Sequence, residues 1–229
     1  MKDKMMDKAN GSSAGSGVAT GLRGVVAAAS SIGDVNGEKG ELIYQGVNIH
    51  DLATKSTFEE VVFLLWHGCL PKKAELNELR KNLAASYELP WQAIELIKGM
   101  CASVPKGTDP MDMLRTVTSA LAFFDEEKRD LSREASIRVA TRLTARFPTI
   151  VAAIERARND LDIVAPKPEL NIATNFLYMM KGEMPDEFDA HVLDVALILQ
   201  ADHELNASTF TARVVAGTLA DMYSAVTAA

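Results

Sequence analysis

The chain has 229 residues, 48 % of them apolar and 6 % aromatic, with a net charge of −7, enough for one large domain with a real core. Acidic and basic residues are interspersed and form no basic stripe, which argues against a nucleic-acid partner. No apolar run approaches the ~18–20 residues that cross a membrane, so no membrane partner is expected, and an anionic ligand would have to be met by cations gathered locally against the global field.

The start is lysine-bearing but lacks the apolar core of a signal peptide. Residues 1–20, rich in Gly, Ser and Ala, read as a disordered tail outside the fold. Gly21 to Ala29 reads as extended or irregular. The next stretch predicts a small hairpin, with Asn36-Gly37 as its turn and Leu42 to Tyr44 as the return strand. After Gly46 the pattern turns helical and stays so.

Thr57 predicts an N-cap with Glu60 as its capping-box partner, for an amphipathic helix ending at Gly68. Pro71 opens a helix over about 72–87, and Pro90 another to about Met100. Asp109 and Pro110 supply cap and first position for a helix running to about Glu127. Ser132 to Ala157 is one long helical stretch in which Pro148 predicts a kink or break. Asn171 to Met180 is helical and stops at Gly182. Pro185 opens a helix to about Ala201, whose apolar run Val192 to Leu199 predicts deep core. Ala207 to Ala229 predicts a last helix, with no stop signal at its end. The fold class expected is therefore all-α with one small β-hairpin, without a repeat of fixed period.

Few residues carry an obvious chemistry. His50, His67, His191 and His203 have no metal-ligand spacing, and no phosphate loop or nucleophile elbow is present. Cys69 and Cys101 lie in apolar helical patterns and read as buried free thiols of a reducing cytoplasm. His50 and His191 read as exposed, and His67 as packing beside Trp66. Arg115, on an otherwise apolar helix, needs an acidic partner, with a buried structural ion pair as the plainest reading. The densest polar cluster is Asp202 to Thr209, set between two apolar runs. Asn206 or Ser208 would cap the following helix. Its free amides and positive dipole end would seat a carboxylate, and His203, just before the cap, could donate to the same anion. A capped interhelical turn with a surface histidine is the alternative.

At this point the chain resembles the citrate synthases of Gram-positive bacteria and archaea, over residues 21–229. The likeness rests on five segments in the family's order: Gly21–Ala27 (GLRGVVA), Leu42–Leu52 (LIYQGVNIHDL), Phe58–Pro71 (FEEVVFLLWHGCLP), Asp109–Thr116 (DPMDMLRT) and Ala201–Arg213 (ADHELNASTFTAR). It implies condensation of acetyl-CoA with oxaloacetate and water to citrate and CoA, with no cofactor because acetyl-CoA is a substrate. It implies an oxaloacetate contact at His203, with Asn206 a weaker match beside it, and a homodimer in which the 109–127 helix is a candidate interface. The family's enolate-stabilising histidine lies in a Gly-Pro-Leu-His-Gly-Gly segment that this sequence does not contain. Its second catalytic histidine, catalytic aspartate and CoA-binding residues are likewise unmatched, and Asp109, Asp125 and Asp202 do not match the aspartate's motif. The expectation is thus the N-terminal part of the large helical domain, inactive alone. A 2-methylcitrate synthase using propionyl-CoA, and the non-catalytic half of a split enzyme, stay open.

Overall fold

The structure, a computed structural model, describes residues 28–229, so the expected tail and the segment through Ala27 lie outside the described residues. Strands β1 (Gly33–Asn36), β2 (Glu41–Tyr44) and β3 (Val47–Asn48) form an antiparallel sheet in that order. The predicted hairpin is there, but its turn differs. Asn36 pairs with Glu41 across a four-residue loop, in which the Asn36 side chain accepts the Lys39 amide at 3.1 Å and Gly40 takes the positive φ of 67°. The two-residue turn of the primed kind is the next one. Gln45 (φ 49°) and Gly46 (φ 82°) both adopt left-handed backbone, linking Tyr44 to its partner Val47. The chain after Gly46 is therefore a third short strand before it becomes helical.

Ten α-helices follow among the described residues: α1 (Ile49–Lys55), α2 (Phe58–His67), α3 (Lys73–Ala84), α4 (Trp91–Ser103), α5 (Pro110–Leu121), α6 (Arg133–Arg158), α7 (Ile172–Lys181), α8 (Glu187–Leu199), α9 (Ala207–Gly217) and α10 (Met222–Ala228). Their ends follow local chemistry. The Thr57 amide donates to Glu60 at 2.7 Å, and Gly68 closes α2 with φ 79°. Asp109 accepts the Met111 amide at 2.9 Å with Pro110 behind it. Asn171 and Asp186 cap α7 and α8.

Pro148 does not break α6, which runs through it without interruption. The helix packs against α3, α4, α5, α7 and α10, and that burial outweighs a proline cost of about 3 kcal/mol. The 109–127 helix ends earlier than expected, at Leu121, followed by a 3-10 turn over Ala122–Phe124. The expected final helix is two: Leu219 adopts φ 65°, and Asp221 caps α10 by accepting the Ser224 amide at 3.0 Å.

Apolar burial is divided among three clusters. The largest joins α4, α5, α6 and α10 through residues such as Ile97, Val117, Leu143, Ile150 and Tyr223. A second gathers Tyr44, Leu52, Val61, Leu64 and Ile198 beneath the sheet. A third joins Val62, Leu83, Tyr87, Ala145 and Ile172. The α8 apolar run is not deep core. Ile198 is buried, but Val192 and Leu199 are exposed, because α8 packs on α1, α2 and α7 along one side and turns the other outward.

Candidate functional site

The segment joining α8 to α9 is irregular over 200–206, and the sheet fixes its shape. Tyr44, wholly buried in β2, directs its hydroxyl at the Leu199 and Asp202 carbonyls (3.3 and 3.1 Å) and accepts the Asp202 amide at 3.2 Å. The Asp202 carboxylate accepts the Glu204 amide at 3.1 Å and lies against Gly33, where a Cβ would come within 2.3 Å of its Oδ2. Glu204 holds φ 56° and accepts the Val35 amide of β1 at 2.7 Å, occupying a donor on the open edge of the sheet.

His203 sits between these two anchors, and its side chain is exposed. Asn206 caps α9, accepting the Thr209 amide at 2.8 Å. Of the two residues considered for that cap, Asn206 takes it, while the Ser208 hydroxyl donates to the Ala229 carbonyl at 2.8 Å. The amides of Ala207 and Ser208 have no acceptor among the described residues. The helix start therefore keeps free donors and its positive dipole end. An exposed imidazole precedes them in a loop held at both sides, an arrangement able to receive a carboxylate.

The remaining histidines do not join it. His50 and His191 are exposed on α1 and α8, and His67 stacks on Phe63 with ring centroids 4.2 Å apart, itself exposed. Arg115 does find an acid, Asp112, at 2.8 Å, but the pair is exposed rather than buried. Spacing i,i+3 on one helix turn explains this. Both cysteines are free; Cys101 is partly buried, whereas Cys69 is exposed just past the end of α2. A cavity of about 1270 Å³ lies elsewhere, between α4 and the end of α6, lined by Leu89, Cys101, Met113 and Arg158 among others.

The three aspartates weighed as bases are each already engaged. Asp109 caps α5 and Asp202 holds the loop. Asp125 is buried and accepts two bonds from Arg142 (2.8 and 2.9 Å) and one from the Tyr223 hydroxyl (2.5 Å). Burial pushes its pKa up, but the donors from Tyr223 and Arg142 outweigh it and hold the carboxyl below its ordinary range. Beside this group Arg146 has Nε and Nη1 buried with no acceptor among the described residues, and burial lowers its pKa.

Sequence reasoning missed Tyr44, Gly33 and Glu204 as supports of the loop. Tyr44 looks like any strand aromatic, and its partners lie 155 and 158 residues away. The Glu204 side chain would have been a cue only with the β1 edge already in view.

The fold is a mostly helical protein with one small antiparallel sheet, whose first strands hold the loop before a capped helix start. The family model described as "Citrate synthase, C-terminal domain" matches residues 21–229, and the chain belongs to the citrate synthase family. It is 45 % identical to citrate synthase 2 of Bacillus subtilis over 209 residues, 91 % of this chain and 55 % of that protein. It is 40 % identical to a 2-methylcitrate synthase of Mycobacterium tuberculosis, over 91 % of this chain and 52 % of the relative. Among solved structures, the citrate synthase of Pyrobaculum aerophilum matches with TM-score 0.85 and 39 % identity, covering 90 % of this chain and 53 % of that one. The citrate synthase of Thermoplasma acidophilum, solved as a ternary complex with carboxymethyl coenzyme A and oxaloacetate, matches with TM-score 0.83 and 28 % identity, covering 90 % and 53 %. The chain spans about half the length of the relatives it matches.

Proposed function

We propose that this chain supplies the N-terminal part of the large helical domain, and one oxaloacetate contact, of a citrate synthase. The reaction is an acyl transfer of the tricarboxylic acid cycle. A proton leaves the acetyl methyl of acetyl-CoA, the resulting enolate attacks the oxaloacetate carbonyl carbon, and water cleaves the thioester to give citrate and free CoA. The observation that carries the reading is the Asn206-capped start of α9 with His203 before it, in a chain of this family. His203 and the free amides of Ala207 and Ser208 receive a carboxylate of oxaloacetate, and Asn206 fixes the helix end that presents them. No cofactor takes part; acetyl-CoA is consumed as substrate.

The proton-transfer residues that the family resemblance implies have no match in this sequence, and the three aspartates are committed to a cap (Asp109), an ion pair (Asp125) and the 202–204 loop turn (Asp202). Residues 21–229 are accordingly one partial domain that does not turn over alone. The parent protein acts in the cytoplasm as a homodimer. Exposed Met111 in α5 and Phe123 in the 3-10 turn that follows it support the 109–127 segment as part of the interface.

The Mycobacterium relative favours a second reading, a 2-methylcitrate synthase using propionyl-CoA. Oxaloacetate is shared by the two, so His203 and Asn206 serve either; competing acyl-CoA assays on the complete enzyme decide between them. The DNA past codon 229 separates a longer parent from a split enzyme. An in-frame Gly-Pro-Leu-His continuation means the former; a stop codon followed by a second gene carrying that motif means the latter.

The test is an oxaloacetate titration of the chain followed through its backbone amide resonances at 202–209. A saturable shift that disappears in His203→Ala is expected. No saturable shift, or equal binding by the variant, overturns the site.

A further inference from the structure

We infer that Tyr44 and Glu204 are positioning residues of the oxaloacetate site, a clamp that sets His203 from the sheet rather than from the two helices it joins. The inference rests on the reading of His203 given above. Both flanks of His203 are tied to β strands. On one side the Tyr44 hydroxyl bonds Asp202 through both its carbonyl and its amide. On the other, the Glu204 carboxylate takes the Val35 amide at 2.7 Å. Asp202 also closes on Glu204 itself, accepting its amide. The Asp202 carboxylate occupies the space above Gly33 that a Cβ would fill, so sheet and loop are in direct contact.

Neither helix performs this task. α8 ends at Leu199 and α9 starts at Ala207, and the exposed His203 side chain lies between them, on neither helix. Its backbone is held by its neighbours alone. Glu204 adopts a left-handed φ of 56°, a conformation a non-glycine residue keeps only when its surroundings impose it. The bond from Val35 and the bond to Asp202 supply that constraint. Releasing either anchor frees His203 to swing while leaving the α9 cap in place, because Asn206 bonds Thr209 within its own helix.

The experiment compares the full chain with Tyr44→Phe, Glu204→Ala and Glu204→Gln, the last of which keeps an oxygen able to accept the Val35 amide. Hydrogen exchange is read at the amides of 202–205 and, as a control, in α6. Oxaloacetate affinity is read from the His203 ring resonances. Exchange in 202–205 should quicken about fivefold to tenfold in Glu204→Ala, the effect of losing one hydrogen bond, and by at least as much in Tyr44→Phe, which loses two to Asp202, with α6 unchanged. Oxaloacetate affinity should weaken by a similar factor, and Glu204→Gln should restore both.

Unchanged exchange overturns the clamp. Faster exchange with unchanged affinity overturns its role in positioning His203. A wild-type chain with no saturable response to oxaloacetate overturns the reading of the site and the clamp's role there, while the exchange result still decides whether the clamp exists. If α6 also quickens in Tyr44→Phe, the comparison of Glu204→Ala with Glu204→Gln decides.

Discussion

Asp194, midway along α8, accepts the amide of Phe58, the first residue of α2, with both carboxylate oxygens at 3.3 Å. One residue along α2, buried Glu59 does the same for α7, accepting the Ile172 amide at 3.0 Å. Two helices thus take an acceptor at their N-termini from a neighbour, α2 from α8 and α7 from α2, and the mutual orientation of the three is fixed by charge on dipole as well as by apolar packing.

The arrangement carries a titration. Burial, reinforced by the Glu59 carboxylate, pushes the Asp194 pKa up to about 6, against the lowering by the Phe58 amide, His191 and Arg80. A carboxyl whose folded pKa is raised binds its proton more tightly folded than unfolded. Its favourable contribution is full below about 3.9 and is lost as pH rises through about 6, a change of about 2–3 kcal/mol. Asp194→Asn keeps an oxygen for the Phe58 amide and removes the titration. Thermal melts from pH 4 to 7 should show the variant gaining on the wild type as pH rises, with the difference level above about pH 7. Parallel profiles would contradict this.

Asp125 works in the opposite sense. Its lowered carboxyl contributes stability that is present above about pH 3.9 and lost as pH falls through its folded value. Asp125→Ala leaves Arg142 without its bidentate partner and should cost about 3–5 kcal/mol in urea unfolding. Tyr223→Phe removes one donor and should cost about 1–2 kcal/mol. Arg146→Met should be neutral or stabilising by about 1 kcal/mol, since it removes a half-buried guanidinium whose buried Nε and Nη1 have no partner among the described residues. A loss of several kcal/mol in Arg146→Met would show that its charge is compensated.

Gly33→Ala tests the contact of sheet and loop. The new Cβ would fall 2.3 Å from Asp202 Oδ2. The carboxylate can rotate away, at the expense of its bond with the Glu204 amide, so the expected loss is about 1 kcal/mol. Gly37→Ala, with nothing within 4 Å of the added carbon, is the control and should unfold at the wild-type temperature. Equal melting of both variants would remove the contact from the account.

What could be read in the sequence divides along a physical line. Caps and helix stops are local, so Thr57 with Glu60, Asp109 with Pro110, Gly68 and Gly182 declared themselves, and the capped turn at Asn206 stood out because polar residues interrupt apolar runs there. Pro148 did not break its helix, because the burial that carries α6 through it comes from five other helices. The apolar run in α8 misled because hydropathy does not say which side of a helix meets a neighbour. The break at Leu219 was missed, although Asp221 with Ser224 three residues on is a cap signal. Tyr44, Asp194 and Asp125 act across large sequence separations, and no local pattern announces such pairings.

The most direct measurement is the release of free CoA thiol from acetyl-CoA, with and without oxaloacetate, by the purified 229-residue chain. No oxaloacetate-dependent release above the enzyme-free rate is expected if, as proposed, the chain contributes scaffold and a substrate contact without a base for the acetyl methyl proton. Oxaloacetate-dependent release at the roughly 1–10³ s⁻¹ of ordinary enzymes would contradict it.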